Sequence, residues 1–491
     1  MGGTPTHEGT VPEGAAPVAG RPVRRYLILA VTVVSGSLLV GLWRHSPVSV
    51  LLVAVSSGGA AAIAVLERRT PRLGPRPIVA AIGLLFVVAI SVAPRTSNDL
   101  WSYTIYGRMV SVYGDSPYDK LPVDFRSDPF YARVSPRWQH RGSVYGPAFV
   151  GFAAAGTALA GNSVLADRLF FQLTAAMAAA AVLWLIWRRT RSPAALAWLG
   201  LHPLLGPVIV NGGHNDIAIG LAVLAAAMLA RRRRGWLAGA LIGLGALIKL
   251  TTMLALVGVV LWGWRQRERR VAVTATVAAG VVLVAGYLPF LGGASRVLTG
   301  ADKTMTPASP FNPLGAALLG HDAWRDVPQP LAPNDTLIAI FYASLFVVAV
   351  LALTTGWRAA RAREPEAAIG ATTGSYTVAA EYAFPWYAGV GIAGARGPQA
   401  DRARLGGLGA GGGDARRAQA ADPSQHDRPR HHPAGDDHLR GAARGPRRVR
   451  GRRARRHPSR LVRPSRSPTA RCTRGRDHGV PVSGRRRSAR S

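Results

Sequence analysis

The chain has 491 residues and a formal net charge of +35, from 60 Lys+Arg against 25 Asp+Glu, yet 48% of it is apolar. A soluble globular protein so charged is normally poor in apolar residues, so charge and apolar mass occupy different parts of this chain. A single cysteine, Cys472, excludes a disulfide framework and any cysteine-rich metal site.

Residues 1–25 are rich in Gly, Pro and Ala and predict a disordered cytoplasmic N-terminus ending in Arg21, Arg24 and Arg25. The apolar run 26–43 is long enough to span a bilayer and lacks a clear small-x-small cleavage site, which predicts an uncleaved anchor. Further apolar runs at 48–66, 78–94, 164–187, 193–211, 215–230, 271–291 and 336–357 approach the ~20 residues that cross ~30 Å of hydrocarbon. A longer block at 235–264 and a weaker one at 366–388 complete the set. The expected fold class is all-α, a polytopic transmembrane helix bundle of roughly 10–11 spans. Residues 26–390 form the membrane domain, and 95–145 its long first extracytoplasmic loop.

Short cytoplasmic loops collect arginine, which orients the spans. Arg68, Arg69, Arg72 and Arg76 place the loop after the second span inside, as do Arg231–Arg234, Arg265–Arg270 and Arg358–Arg363 for theirs. The apolar stretch 146–161 also looks like a span, but counting it would put Arg188, Arg189 and Arg191 outside and invert every later basic loop. It is therefore expected to be a re-entrant or interfacial helix that returns outside. The block 235–264 has basic clusters at both ends and, at ~45 Å, is too long for one span and short for two. A hairpin broken near Gly243 and Gly245 keeps both clusters inside.

This topology gathers out-of-place polar residues on the outer side, and charged groups at membrane depth usually mark a pathway or a reaction site. Asp99 opens the first outer loop and is suited to take a proton from a sugar hydroxyl; its plainer role is to cap the helix that follows. His214, Asn215 and Asp216 lie between two spans as a helix cap, alone or with a substrate contact, and as a metal ligand set they are weak. Lys249, near the hairpin tip, suits a phosphate as a point charge or snorkels to the interface. Gly239-x-x-x-Gly243 predicts tight helix packing. The loop aromatics Trp101, Tyr103, Tyr106, Tyr113, Tyr118, Trp138 and Tyr145 read as an interfacial belt or as platforms for sugar faces.

The strings SNDLWSYTIYGRMVSVYGDSPY from Ser97, SVYGP at 143–147, NGGHND at 211–216, ALIKLTTMLAL around Lys249 and EYAFPWY at 381–387 occur in one order. In that order the chain resembles, over roughly residues 26–388, the actinobacterial polyprenol-phosphate-mannose-dependent α-1,6-mannosyltransferases of lipomannan and lipoarabinomannan synthesis, which have the GT-C architecture. The resemblance implies an inverting transfer of mannose from a polyprenyl phosphate to a mannan or lipoglycan acceptor on the extracytoplasmic face of the plasma membrane. It implies Asp99 as catalytic base, with Lys249, Arg108 and Arg141 supplying charge to the departing phosphate. His214, Asn215, Asp216, Tyr382 and Trp386 would contact donor or acceptor. The partners so implied are the lipid bilayer, a lipid-linked sugar donor and a glycan acceptor, with no nucleic acid. No cofactor and no metal site are assigned, and the need for a divalent metal stays open. The rival readings are a transferase of another lipid-linked sugar, glucose or arabinose, and a polytopic lipid or sugar transporter.

The likeness stops after about Tyr387. Residues 391–491 hold 26 arginines, seven aspartates and no lysine or glutamate, with no apolar run near ~20 residues. This composition is that of a GC-rich gene read out of frame, and the segment is expected to be a disordered, out-of-frame tail. A natural disordered tail and an anion-binding segment are the alternatives.

Overall fold

The structure, a computed structural model, describes residues 20–40, 47–95, 97–290, 309–320 and 335–380. Tyr382, Trp386 and the arginine-rich segment 391–491 lie outside the described residues. Among the described residues the regular structure is helical, with no strand, so the all-α expectation holds.

The helices are α1 (Gly20–Val40), α2 (Pro47–Arg69), α3 (Pro75–Ser91), α4 (Asp99–Ser111), α5 (Pro136–Gln139), α6 (Pro147–Ala160), α7 (Val164–Thr190) and α8 (Pro193–Gly200). After a π-helical turn (Leu204–Val210) come α9 (Asp216–Arg231), α10 (Gly235–Ala246), α11 (Met253–Arg265), α12 (Arg269–Tyr287), α13 (Asn312–Leu319), α14 (Asp335–Ala359) and α15 (Pro365–Ala379). Proline opens several of them, where its missing N–H costs nothing and its fixed φ suits the first turn. Ser163 and Ser192 cap α7 and α8, their hydroxyls accepting from the amides of Ala166 and Ala195 at 3.2 Å.

Among the described residues five helices are long and apolar enough to cross a membrane: α1, α2, α7, α12 and α14. A sixth span forms if α8 and the π-turn, bent by 44°, count as one. The protein is thus a polytopic helical membrane protein. The larger number of spans expected from the sequence rests also on the shorter apolar helices α3, α10 and α11.

The block 235–264 is a hairpin. Gly235, Gly239 and Gly243 of α10 abut Val271, Ala275 and Ala279 of α12 in parallel, whereas Gly263 of α11 abuts Ala272, so α11 runs the other way. A Cβ on Gly239 would collide with the Ala275 backbone, which is why the small-residue spacing packs helices here. The break falls at Leu247–Lys249, a few residues beyond Gly243 and Gly245, because Gly243 is committed to packing on α12 and Gly245 lies against Thr252.

The arginine turns come together at one end of this bundle. Arg233 Nη2 meets Glu268 Oε1 at 2.6 Å, and Arg231 and Arg189 both reach Glu364, at 2.8 and 3.0 Å. Gln266 Nε2 donates to the carbonyls of Ala360 and Ala362. Arg24 of α1 pairs with buried Glu67 of α2 at 2.9 Å.

Helix α6 starts at the opposite end, where the amides of Gly146 and Ala148 donate to the carbonyls of Ile248 and Leu247 at the hairpin tip. It ends there too: α7 begins four residues after α6 and descends two turns before Gln172 meets the C-terminal carbonyls of α3. Residues 146–161 thus form one short helix, Pro147–Ala160, whose two ends lie toward the same end of the bundle.

Candidate active site

Helix α4 is buried on every side from Leu100 to Met109. Gly107 lets α6 approach, since a Cβ there would lie 2.6 Å from the Ala153 carbonyl. Around α4 the loop 95–145 folds its aromatics inward. Tyr103 meets Tyr145, Phe149 and Phe171 edge-on at 4.9–5.7 Å, and Trp101, Tyr106, Tyr118 and Trp138 are buried with Phe125 and Phe130. Both readings of these aromatics are corrected: apart from Tyr113 they are neither a belt nor sugar platforms, because a loop this long stabilises itself by burying its own aromatic area.

Asp99 is the first residue of α4, where the positive end of the helix dipole favours a carboxylate. It does not act as the cap: its own amide donates to Ser97 Oγ at 3.0 Å, and its carboxylate turns to His214, with Oδ2 3.8 Å from Nδ1. The His214 side chain is fully buried, while that of Asp99 is 20% exposed. Burial pushes the imidazole below its ordinary pKa, against the upward pull of Asp99 and Asp216, with Lys249 adding to the downward push. Gly213, at φ +63°, makes the turn that delivers His214, and a side chain there would crowd Leu100 and Phe171 at 3.1 Å.

Next in the chain, Asn215 is 6% exposed. Its amide nitrogen and oxygen have no hydrogen-bond partner among the described residues. It precedes α9 without capping it through its side chain, so the cap that both sequence readings of this triplet shared is not formed by Asn215. Asp216 Oδ1 accepts from Lys249 Nζ at 2.9 Å, and Nζ also lies 5.8 Å from the Tyr145 ring centroid. Lys249 is therefore held inward by a buried carboxylate, and the snorkelling alternative does not describe it. Four charged or titratable groups from three segments, at 99, 214–216 and 249, thus converge beside an unpaired buried amide.

Two amides hold these segments in register: Asn211, which heads the NGGHND string but had no role assigned from the sequence, and Gln172, which sequence reasoning passed over. Asn211, fully buried, donates through Nδ2 to the carbonyls of Ala89, Val92 and Ala93 at 3.0–3.2 Å and accepts at Oδ1 from the Arg95 amide at 2.8 Å. Gln172 Nε2 donates to the carbonyls of Ala89, Val92 and Asn211 at 3.3, 3.1 and 2.7 Å. Together they satisfy the C-terminal carbonyls of α3, four residues before Ser97. The available signal was Gln172 itself, an amide in the middle of an apolar run. Asp167, an unremarked acid within the same run, bonds Thr104 of α4.

The structure does not bring Arg108 to this cluster. It lies nine residues along α4 from Asp99, about 13 Å, with Nε 2.7 Å from Asp128 Oδ2, Nη1 on the Gly161 carbonyl and Nη2 on Asn162. Tyr113 donates to the same Asp128 oxygen, and burial with that hydrogen bond holds its phenol above the ordinary pKa. Arg141 is buried with its guanidinium 5.7 Å from the Trp138 ring, its carbonyl accepting from Tyr106. Among the described residues no three His, Cys, Asp or Glu side chains are grouped to hold a metal ion.

A family model described as "Alpha-(1->6)-mannopyranosyltransferase, N-terminal domain" matches residues 9–266. Two curated relatives carry the name Alpha-(1->6)-mannopyranosyltransferase A. The protein from Mycobacterium tuberculosis is 27% identical over 325 residues, 60% of this chain and 60% of its own length. That from Corynebacterium glutamicum is 25% identical over 335 residues, 62% of this chain and 67% of its own. The match thus spans about three fifths to two thirds of these relatives. No solved structure matches.

Proposed function

The chain belongs to the alpha-(1->6)-mannopyranosyltransferase family, and from that premise we propose that it transfers mannose from a polyprenyl-phosphate donor to a mannan or lipoglycan acceptor. Asp99 is the general base. It takes the proton of the attacking acceptor hydroxyl as that oxygen bonds to the anomeric carbon and the bond from that carbon to the phosphate oxygen breaks. The polyprenyl phosphate leaves with the electron pair, and Lys249 offers it a positive point charge. His214, kept neutral by burial, orients the Asp99 carboxylate, and the unpaired Asn215 amide offers a donor and an acceptor to sugar hydroxyls. Arg108 and Arg141 serve the loop rather than the phosphate in this reading.

The observation that carries it is the convergence of Asp99, His214, Asp216 and Lys249 at the end of the bundle opposite the arginine turns. By the rule that arginine-rich loops stay in the cytoplasm, that end is extracytoplasmic, the side on which a lipid-linked donor needs no nucleotide. The test incubates membranes holding the chain with labelled polyprenyl-phosphate mannose and a mannoside acceptor. An Asp99→Asn variant should lose about 100-fold or more in transfer. An Asp99→Asn variant as active as the parent would remove the base assignment.

A further inference from the structure

Three residues other than glycine have left-handed backbone conformation among the described residues, and all three are arginines: Arg191 (φ 49°), Arg233 (φ 58°) and Arg267 (φ 63°). They occupy equivalent places, the turns α7–α8, α9–α10 and α11–α12 at the arginine-bearing end. Elsewhere the chain solves the same problem with glycine, at Gly114, Gly161, Gly213 and Gly320. An L side chain in this conformation is strained, and glycine is not. Arginine at all three turns therefore opposes local stability, which indicates that the side chain is retained for something outside the turn.

The surroundings say what. The three side chains are exposed. Every described basic residue at this end is arginine, including the run Arg231–Arg234, and the described acids beside it are Glu67, Glu268, Glu364 and Glu366, each in or near an ion pair; Glu268 pairs with Arg233 itself at 2.6 Å, through a guanidinium that stays largely exposed. Tryptophans edge the same end: Trp184, Trp236, Trp264 and Trp357 are 42–61% exposed, whereas Trp101 and Trp138 of the opposite loop are 7% exposed. Guanidinium groups stand over these rings, Arg188 on Trp184, Arg265 on Trp357 and Arg269 on Trp264, at 4.7–5.1 Å. An indole prefers the depth where hydrocarbon meets headgroup, and a planar guanidinium fork matches a phosphodiester.

We propose that this end is a binding surface for anionic phospholipid headgroups, with Arg191, Arg233 and Arg267 as phosphate contacts kept at the expense of backbone comfort. Its occupant is the anionic headgroup layer of one leaflet, because a surface fringed by exposed tryptophans on membrane-crossing helices meets lipid before any soluble polyanion. The proposal does not depend on the transfer reaction.

The full chain, purified into micelles of equal phosphatidylglycerol and phosphatidylcholine, should retain the anionic lipid in excess when the bound lipid is counted by native mass spectrometry. An arginine at the headgroup layer is worth about fivefold in attraction, so the R191G/R233G/R267G triple variant should lower that preference at least about tenfold. In neutral detergent the same variant should melt no lower than the parent, since the strain relieved at three turns outweighs the loss of one largely exposed ion pair, Arg233–Glu268. R191N/R233N/R267N, also tolerated at left-handed positions, should lose the preference equally, whereas R191K/R233K/R267K should keep most of it. The parent and variants share the rest of the chain, so its other arginines cancel in the comparison. Equal retention of both lipids by the parent, an undiminished preference in the glycine variant, or a lower melting temperature of that variant in neutral detergent would each overturn the proposal. So would binding of a DNA duplex that the glycines abolish while lipid preference stays.

Discussion

Replacing Asn211 with leucine tests how the site is held together. Leucine fills the volume but neither donates nor accepts. The carbonyls of Ala89 and Val92 keep Gln172 as a donor, so the groups left bare are the Ala93 carbonyl and the Arg95 N–H. Arg95 is half-buried, so its orphaned N–H costs the lower part of about 1–3 kcal/mol and the lost hydrogen bond about 1 kcal/mol, for a total of about 2 kcal/mol. At about 2 °C per kcal/mol, thermal unfolding in detergent should shift down by about 4 °C. Because residues 95–98 carry the start of α4, Asp99 loses its register with His214, and transfer should drop at least about tenfold in the folded fraction. Gln172→Leu alone leaves Ala89 and Val92 served by Asn211, whereas the double variant strips both, so its cost should exceed the sum of the singles by about 1–2 kcal/mol. A melting temperature within about 2 °C of the parent, or additivity to about 0.5 kcal/mol, would refute this account of two amides sharing acceptors.

Other outcomes follow from the same geometry. Lys249→Met leaves Asp216 buried without its cation; transfer should fall with a larger effect at low donor concentration, and Lys249→Arg should restore part of it, as measured by initial rates across donor concentration. Arg108→Met breaks a buried pair and should cost about 3–5 kcal/mol; the double change R108M/D128L should recover much of that in a melting experiment, with activity tracking folded protein throughout. The His214 pKa is depressed by burial, so the unfolded chain binds the proton more readily. Stability contributed by His214 is fully present above about pH 6.5, its ordinary value, and is lost as the pH falls from there toward the lower folded value. His214→Gln should flatten that acid limb in thermal melts at graded pH, and an unchanged limb would count against the burial argument.

The arginine clusters and the apolar runs made helix content and the membrane setting legible in the sequence alone, because crossing hydrocarbon constrains length and charge locally. The hairpin was legible for the same reason, though its break was not, since Gly243 looks like a hinge until α12 is seen packed on it, and Gly245 until Thr252 is seen against it.

Which charges act together was not legible, because that is decided by contacts far apart in the chain. Arg108, Arg141 and Lys249 were indistinguishable as cations near an outer loop. Only the tertiary structure joins Arg108 to Asp128 and Lys249 to Asp216, 33 residues away. Asp99 and His214 are 115 positions apart and approach to 3.8 Å, and the amides of Gln172 and Asn211 that join the neighbouring segments do so through backbone carbonyls with no mark in the sequence. The left-handed arginines show the same division. Their charge could be counted from composition, but the strained backbone that makes their retention informative exists only where helices end and the chain must turn.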